Sequence, residues 1–161
     1  MLGGCGGEGA EPLNERRLEG PGFVFSAPAA WRIERTQRSV AAHPPEGREL
    51  ISVTVFRLAK PFRPARWPAA VREVDRVAAQ LAARLRGELV ARETAPLAGL
   101  RSRRYTIAYR AGDEELRQRL AFALRGRREY QLLCRLSGSP SAAAAAACER
   151  LLSSFRSLPG K

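Results

Sequence analysis

Residues 116–136, LRQRLAFALRGRREYQLLCRL, read as two strands joined by a tight turn. In the first arm Leu116, Leu120, Phe122 and Leu124 share one parity, and Arg117, Arg119, Ala121 and Ala123 share the other. In the second arm Tyr130, Leu132, Cys134 and Leu136 alternate with Glu129, Gln131 and Arg135. A period of two over both arms marks a sheet with one strongly apolar face. A two-residue loop at Gly126-Arg127 would set Phe122 and Leu124 opposite Gln131 and Glu129. An odd-length loop sets apolar against apolar, so the pattern predicts three loop residues, with Gly126 supplying a positive φ.

The rest of the chain is arranged to extend or cover this hairpin. At 161 residues it suits one domain with a sizeable core, and 45% hydrophobic with 27% charged residues is a folding composition. No apolar run approaches the about 20 residues needed to cross a bilayer. The net charge is +12, and of 28 basic residues all but Lys60 and Lys161 are arginine. Such a charge suits an acidic partner, such as nucleic acid, anionic lipid or an acidic wall polymer. The arginines are scattered among glutamates and not grouped with aromatics, which argues against a nucleic-acid platform.

Leu2-Gly3-Gly4-Cys5 resembles a bacterial lipobox, in which small residues precede a cysteine that receives lipid. The basic segment and apolar stretch of a signal peptide do not precede it, so this reading requires a start upstream of Met1. The competing reading is a Gly-rich leader with an incidental cysteine. Residues 1–21 are expected to be this start and a flexible tether, because residues 6–20 carry almost no apolar side chains. A single domain is expected over residues 22–158.

Within it, Gly22–Pro28 predicts a strand, and Trp31–Arg35 a second that pairs with it. Residues 50–58, LISVTVFRL, are β-branched and apolar on both parities, as a central strand covered on both faces should be. Val71, Val74, Ala78, Leu81 and Leu85 fall at helical spacing over residues 69–86, with Gly87 as the C′ residue. Strands follow at residues 89–93 and 100–110, the latter with Tyr105, Ile107 and Tyr109 inward. Residues 141–155 form a second helix, capped by Ser139 or Ser141 and continued past its alanine run by Cys148, Leu151, Leu152 and Phe155.

No catalytic constellation emerges. His43 is the only histidine, placed in a loop beside Pro44 and Pro45, and the cysteines lack CxxC spacing, so no metal site is expected. No GxSxG, P-loop or dinucleotide fingerprint occurs, and no cofactor is expected. Asp113, Glu114 and Glu115 read as a solvated turn. Gly126-Arg127-Arg128 places guanidinium groups at the hairpin tip, able to grip an anion or simply solvated.

The order FVFSAPAAW, ELISVTVFRL, helix, strand, PLAGLRSRRYTIAY, RGRREYQLL and an Ala-rich helix ending in LLSSF resembles the PsbP/DcrB-like family. The resemblance covers about residues 22–158 and lies in folding residues: Pro28, Trp31, Gly99-Leu100, Tyr105, Gly126-Arg127, Tyr130 and Phe155. It implies an α+β fold, an α/β/α sandwich around an antiparallel sheet of about six to seven strands. Bacterial members of the family are commonly lipoproteins or exported proteins. Their functions vary, and the resemblance transfers no catalytic residue.

Two expectations concern particular side chains. Cys134 and Cys148 lie on apolar faces of the last strand and last helix. They bridge in an oxidising compartment if the helix covers that side of the sheet, and are buried thiols if it does not. Arg104, Arg110, Arg117, Arg119 and Arg135 share the parity opposite the main apolar face, which predicts one basic sheet face for an acidic partner. Against this, Ala108, Ala121 and Ala123 would admit the terminal helix, leaving the arginines as its fringe. The function expected is a non-catalytic, extracytoplasmic binding or scaffolding domain of the bacterial envelope, anchored through lipid at Cys5. The alternative is a cytoplasmic protein-binding adaptor, which fits if Cys5 is incidental.

Overall fold

A computed structural model describes residues 14–159. Its elements in chain order are β1 (Glu15–Gly20), β2 (Phe23–Pro28), β3 (Arg32–Arg35), β4 (Ser39–His43), β5 (Leu50–Arg57), α1 (Trp67–Arg84), β6 (Glu88–Leu97), β7 (Leu100–Ala111), β8 (Glu114–Arg125), β9 (Arg128–Ser137), α2 (Ala142–Ser154) and β10 (Arg156–Ser157). Seven strands form an antiparallel sheet in the order β3-β4-β5-β9-β8-β7-β6, and β1-β2-β10 form a small second sheet. Among the described residues no helix is long and apolar enough to cross a membrane.

The hairpin turn differs from the sequence expectation. Arg125 pairs with Arg128 and leaves only Gly126-Arg127 in the loop, with Gly126 at φ 56°. Phe122 therefore faces Gln131 and Leu124 faces Glu129, while Ala121 faces Leu132 and Ala123 faces Tyr130. This register is favourable because the sheet has two buried faces, not one. Leu120 and Phe122 join Tyr105 and Ile107 under Val74, Ala78 and Ala82 of α1. Ala121, Ala123, Tyr130, Leu132 and Cys134 join Phe23, Phe25 and the α2 residues Ala147, Cys148 and Leu151 on the other side. Each face sets large side chains against small ones, as close packing requires.

Three further expectations are corrected. Trp31–Arg35 does not pair with the Gly22–Pro28 strand, because β3 pairs with β4 and β2 with β1 and β10. Residues 15–20 are not tether: β1 inserts Leu18, 1% exposed, opposite Phe25 and points Arg17 and Glu19 outward. One apolar residue in six is too weak a sequence signal for a strand, yet one buried leucine and a hydrogen-bonded partner suffice. Residues 15–20 thus belong to the fold, and the expected boundary at residue 22 falls in the turn between β1 and β2. At the end of α1, Arg86 takes the left-handed C′ position at φ 53°, and Gly87 follows it, donating to Ala82 O at 2.9 Å.

Helix α2 is capped by Ser141, whose Oγ accepts from Ala144 N at 3.1 Å. Its placement over the β5-β9 side of the sheet brings Cys148 to Cys134: the structure holds them as a disulfide, Cα–Cα 5.7 Å.

The two-faced packing makes a sharp prediction. Ala123→Leu adds bulk to a fully buried position and should lower stability by about 1–3 kcal/mol. Gln131→Leu, facing Phe122 across the strands, should change it by less than about 0.5 kcal/mol. Urea midpoints at unchanged m would check both; a silent Ala123→Leu would refute the packing of that face.

Candidate anion-binding site

Arginines collect where the central strands end. Arg57 closes β5, Arg128 opens β9 and Arg125 closes β8, and the three are successive cross-strand partners. They share parity with Val55, Tyr130 and Ala123, so they stand on the α2 side of the sheet. Arg38 sits beside them, its carbonyl accepting from Val55 N at 2.9 Å, and Arg127 lies in the turn. Together the five line an open hollow of about 560 Å³. Its floor carries Tyr130, whose hydroxyl donates to Gly22 O at 2.9 Å.

Like charges set directly opposite across strands repel. Here the repulsion is not relieved: among the described residues, every ion pair within 4.0 Å lies elsewhere. Neutral oxygens orient three of the guanidiniums. Arg125 Nη1 donates to Ser157 Oγ at 2.7 Å, Arg127 Nη1 to Ala59 O at 3.3 Å and Arg128 Nη1 to Leu158 O at 3.1 Å. Gly22 leaves room for Arg128, whose guanidinium occupies the space a Cβ there would take. The arrangement is a concave, cationic surface suited to a multivalent anion.

The basic face predicted from sequence is not assembled. Arg135 is on the opposite side, paired with Gln118 and Leu50, because the two-residue turn shifts the parity of β9 against β8. Arg104, Arg110, Arg117 and Arg119 do share the α2 side, but most are engaged. Arg104 donates to Pro96 O at 2.7 Å, Arg110 pairs with Glu115 at 3.2 Å, and Arg119 pairs with Glu149 of α2 at 2.7 Å. They flank the helix. The hairpin tip was visible in the sequence as Gly126-Arg127-Arg128. Arg38, Arg57 and Arg125 were missed: the two-residue turn sets Arg125 opposite Arg128, and the long-range pairing of β5 with β9 brings in Arg57 and, beside it, Arg38; the arginine ending the LISVTVFR strand was an available signal.

His43 ends β4, not a loop, with Nε2 3.2 Å from Glu34 Oε2. Asp113 remains in an exposed turn, while Glu114 pairs with Arg48 at 3.6 Å. Cys5 lies outside the described residues.

One ionisable cluster was not anticipated. Asp75 of α1 receives Arg103 Nε at 2.9 Å and Nη2 at 3.2 Å, and also the Tyr105 hydroxyl. The hydrogen bonds from Arg103 hold the Asp75 carboxyl below its ordinary range, against the opposing effect of burial; the Tyr105 hydroxyl lowers it further. Burial pushes the Tyr105 phenol up, and its bond to Asp75 acts in the same direction. With both carboxylate oxygens occupied, the cluster clamps α1 to β7 and offers no free base.

No protein-family model and no curated protein matches the sequence. Solved structures do. The solution structure of cyanobacterial PsbP (CyanoP) from Synechocystis sp. PCC 6803 has a TM-score of 0.69 at 16% identity, covering 97% of this chain and 98% of that one. A crystal structure from Bacteroides thetaiotaomicron VPI-5482 has a TM-score of 0.66 at 10% identity, covering 91% of this chain. This chain spans 50% of that protein's length. At these identities the likeness concerns fold alone.

The clamp predicts a pH dependence. A carboxyl lowered in the folded state contributes stability above its unfolded pKa of about 3.9, lost as pH falls through the folded value. Asp75→Asn should therefore be less stable than wild type at neutral pH by about 1–2 kcal/mol, with the difference closing below about pH 4. Unfolding curves across that range check it; a gap independent of pH would contradict the clamp. The chain has the PsbP-like fold.

Proposed function

We propose that this chain is a non-catalytic binding domain of the bacterial envelope, held at the membrane by lipid on Cys5, that docks an acidic component through its arginine end. The observation that carries the reading is the uncompensated cluster of Arg38, Arg57, Arg125, Arg127 and Arg128 around one hollow. A surface that keeps like charges adjacent without carboxylates is disfavoured in the free protein and relieved by an anionic partner.

Two features support the location. The Cys134–Cys148 disulfide joins strand to helix inside the core, and such bridges persist in oxidising compartments. The Leu2-Gly3-Gly4-Cys5 start has the form of a lipidation site. The described fold begins at Asn14, whose carbonyl accepts from Ala29 N beyond the far end of β2, while Pro21 and Gly22 border the arginine hollow. β1 separates them, about 20 Å of strand.

Location is tested by fractionation. Wild type expressed with its native upstream sequence should partition with membranes and carry the mass of a lipid, and Cys5→Ser should be released. A soluble, unmodified wild type would leave the cytoplasmic adaptor as the better reading.

Docking is tested by charge removal. An Arg57→Ala, Arg125→Ala, Arg127→Ala variant should leave a heparin or polyglutamate column at markedly lower salt than wild type, as screening of clustered charges requires. An Arg104→Ala, Arg110→Ala, Arg117→Ala variant should elute close to wild type. The reverse order would move the docking surface to the α2 flank.

A further inference from the structure

The opposite side of the same hairpin tip holds a second hollow of different chemistry. The connection from β5 to α1 is pinned onto the turn: Leu58 N donates to Arg127 O at 2.8 Å and Phe62 N to Gly126 O at 2.7 Å. Phe62 in turn meets Trp67 edge-on, with centroids 6.4 Å apart. Between this connection, the first turns of α1 and the end of β8 is a hollow of about 470 Å³. Leu58, Phe62, Ala70, Val74 and Leu124 make its walls. That volume is within the range of pockets that take small organic ligands, about 300–1,000 Å³.

The rim is charged and unbalanced. Lys60, Arg63 and Arg66 are exposed around the opening, and among the described residues none meets a carboxylate within 4.0 Å. Of the two acids at the hollow, Glu73 pairs with Arg76 and Glu129 accepts only from the neutral Gln131 Nε2 at 3.0 Å, so three cations face one carboxylate without a cationic partner. A neutral apolar ligand would leave the three cations unused, and a small inorganic anion would leave the apolar walls unused.

We propose that this hollow binds a single-chain amphiphile with an acidic head, its alkyl chain against Leu58, Phe62, Val74 and Leu124 and its phosphate or carboxylate among Lys60, Arg63 and Arg66. Burial of each methylene contributes about 0.8 kcal/mol, and the cations select the head. The site is separate from the arginine end and stands or falls without it.

Dodecyl phosphate, below its critical micelle concentration, is the probe. Titration calorimetry should show saturable one-to-one binding, accompanied by a change in Trp67 emission that Trp67→Phe abolishes. Ala70→Phe fills the hollow and should weaken binding about tenfold or more. Lys60→Ala, Arg63→Ala, Arg66→Ala should weaken it comparably, whereas Arg57→Ala, Arg125→Ala should not. Dodecyl maltoside and inorganic phosphate should each bind at least about tenfold more weakly. Absence of saturable binding, equal binding of the maltoside, or full affinity in the folded charge variant would overturn the proposal. The charge variant alters only exposed side chains, so it decides the matter even if Ala70→Phe fails to fold.

Discussion

The two-residue turn at Gly126-Arg127 is the constraint on which the rest of this structure depends. By pairing Arg125 with Arg128 it sends the large side chains of β8 to one side of the sheet and those of β9 to the other. Each face then has its own cluster, one closed by α1 and one by α2 with the small sheet. A register one residue different would carry one strand's apolar set to the wrong layer and unbalance both. Alanine at 121 and 123 is the complement that makes this register pack, because those positions lie directly beside Leu132 and Tyr130 on the same face.

The same turn builds the chemistry. It brings two arginines opposite one another and, through the β5–β9 ladder, adds a third in line. It also anchors the connection that walls the apolar hollow, since both of its residues accept backbone hydrogen bonds from that segment. The hairpin tip is therefore flanked by two concavities on opposite faces, one cationic and one apolar with a cationic rim. Rigid backbone positions both, as a preformed ligand surface needs.

Two cross-links secure the layers that flank the sheet. On the α2 side the disulfide ties β9 to the helix, and Arg119 reaches Glu149 beside it. On the α1 side Asp75 gathers Arg103 and Tyr105. The second clamp shows why perturbed ionisation alone does not mark an active site: its carboxylate is fully hydrogen-bonded by side chains that position a helix.

Much of the fold was legible in the sequence. Period-two alternation, the LISVTVFR run, the helical stripe of α1 and a serine cap at 139 or 141 are local signals, and local chain geometry alone ties them to strand, helix and cap. The α/β/α sandwich around a sheet of about six to seven strands was implied by the resemblance that their order carries, and the structure has seven. The turn length was misread because apolar-against-apolar pairing assumes one core face, whereas alternation in a single strand does not say how many faces are covered. β1 was unreadable since one leucine carries it, and the sharing of strands between two sheets depends on pairings far apart in sequence. The candidate site divides the same way. Gly126-Arg127-Arg128 stood out as a basic tip, but sequence parity put Arg135 on the wrong face, and Arg38, Arg57 and Arg125 were omitted. Which charges become neighbours is a property of the register between distant strands, and that is decided only when both layers pack at once.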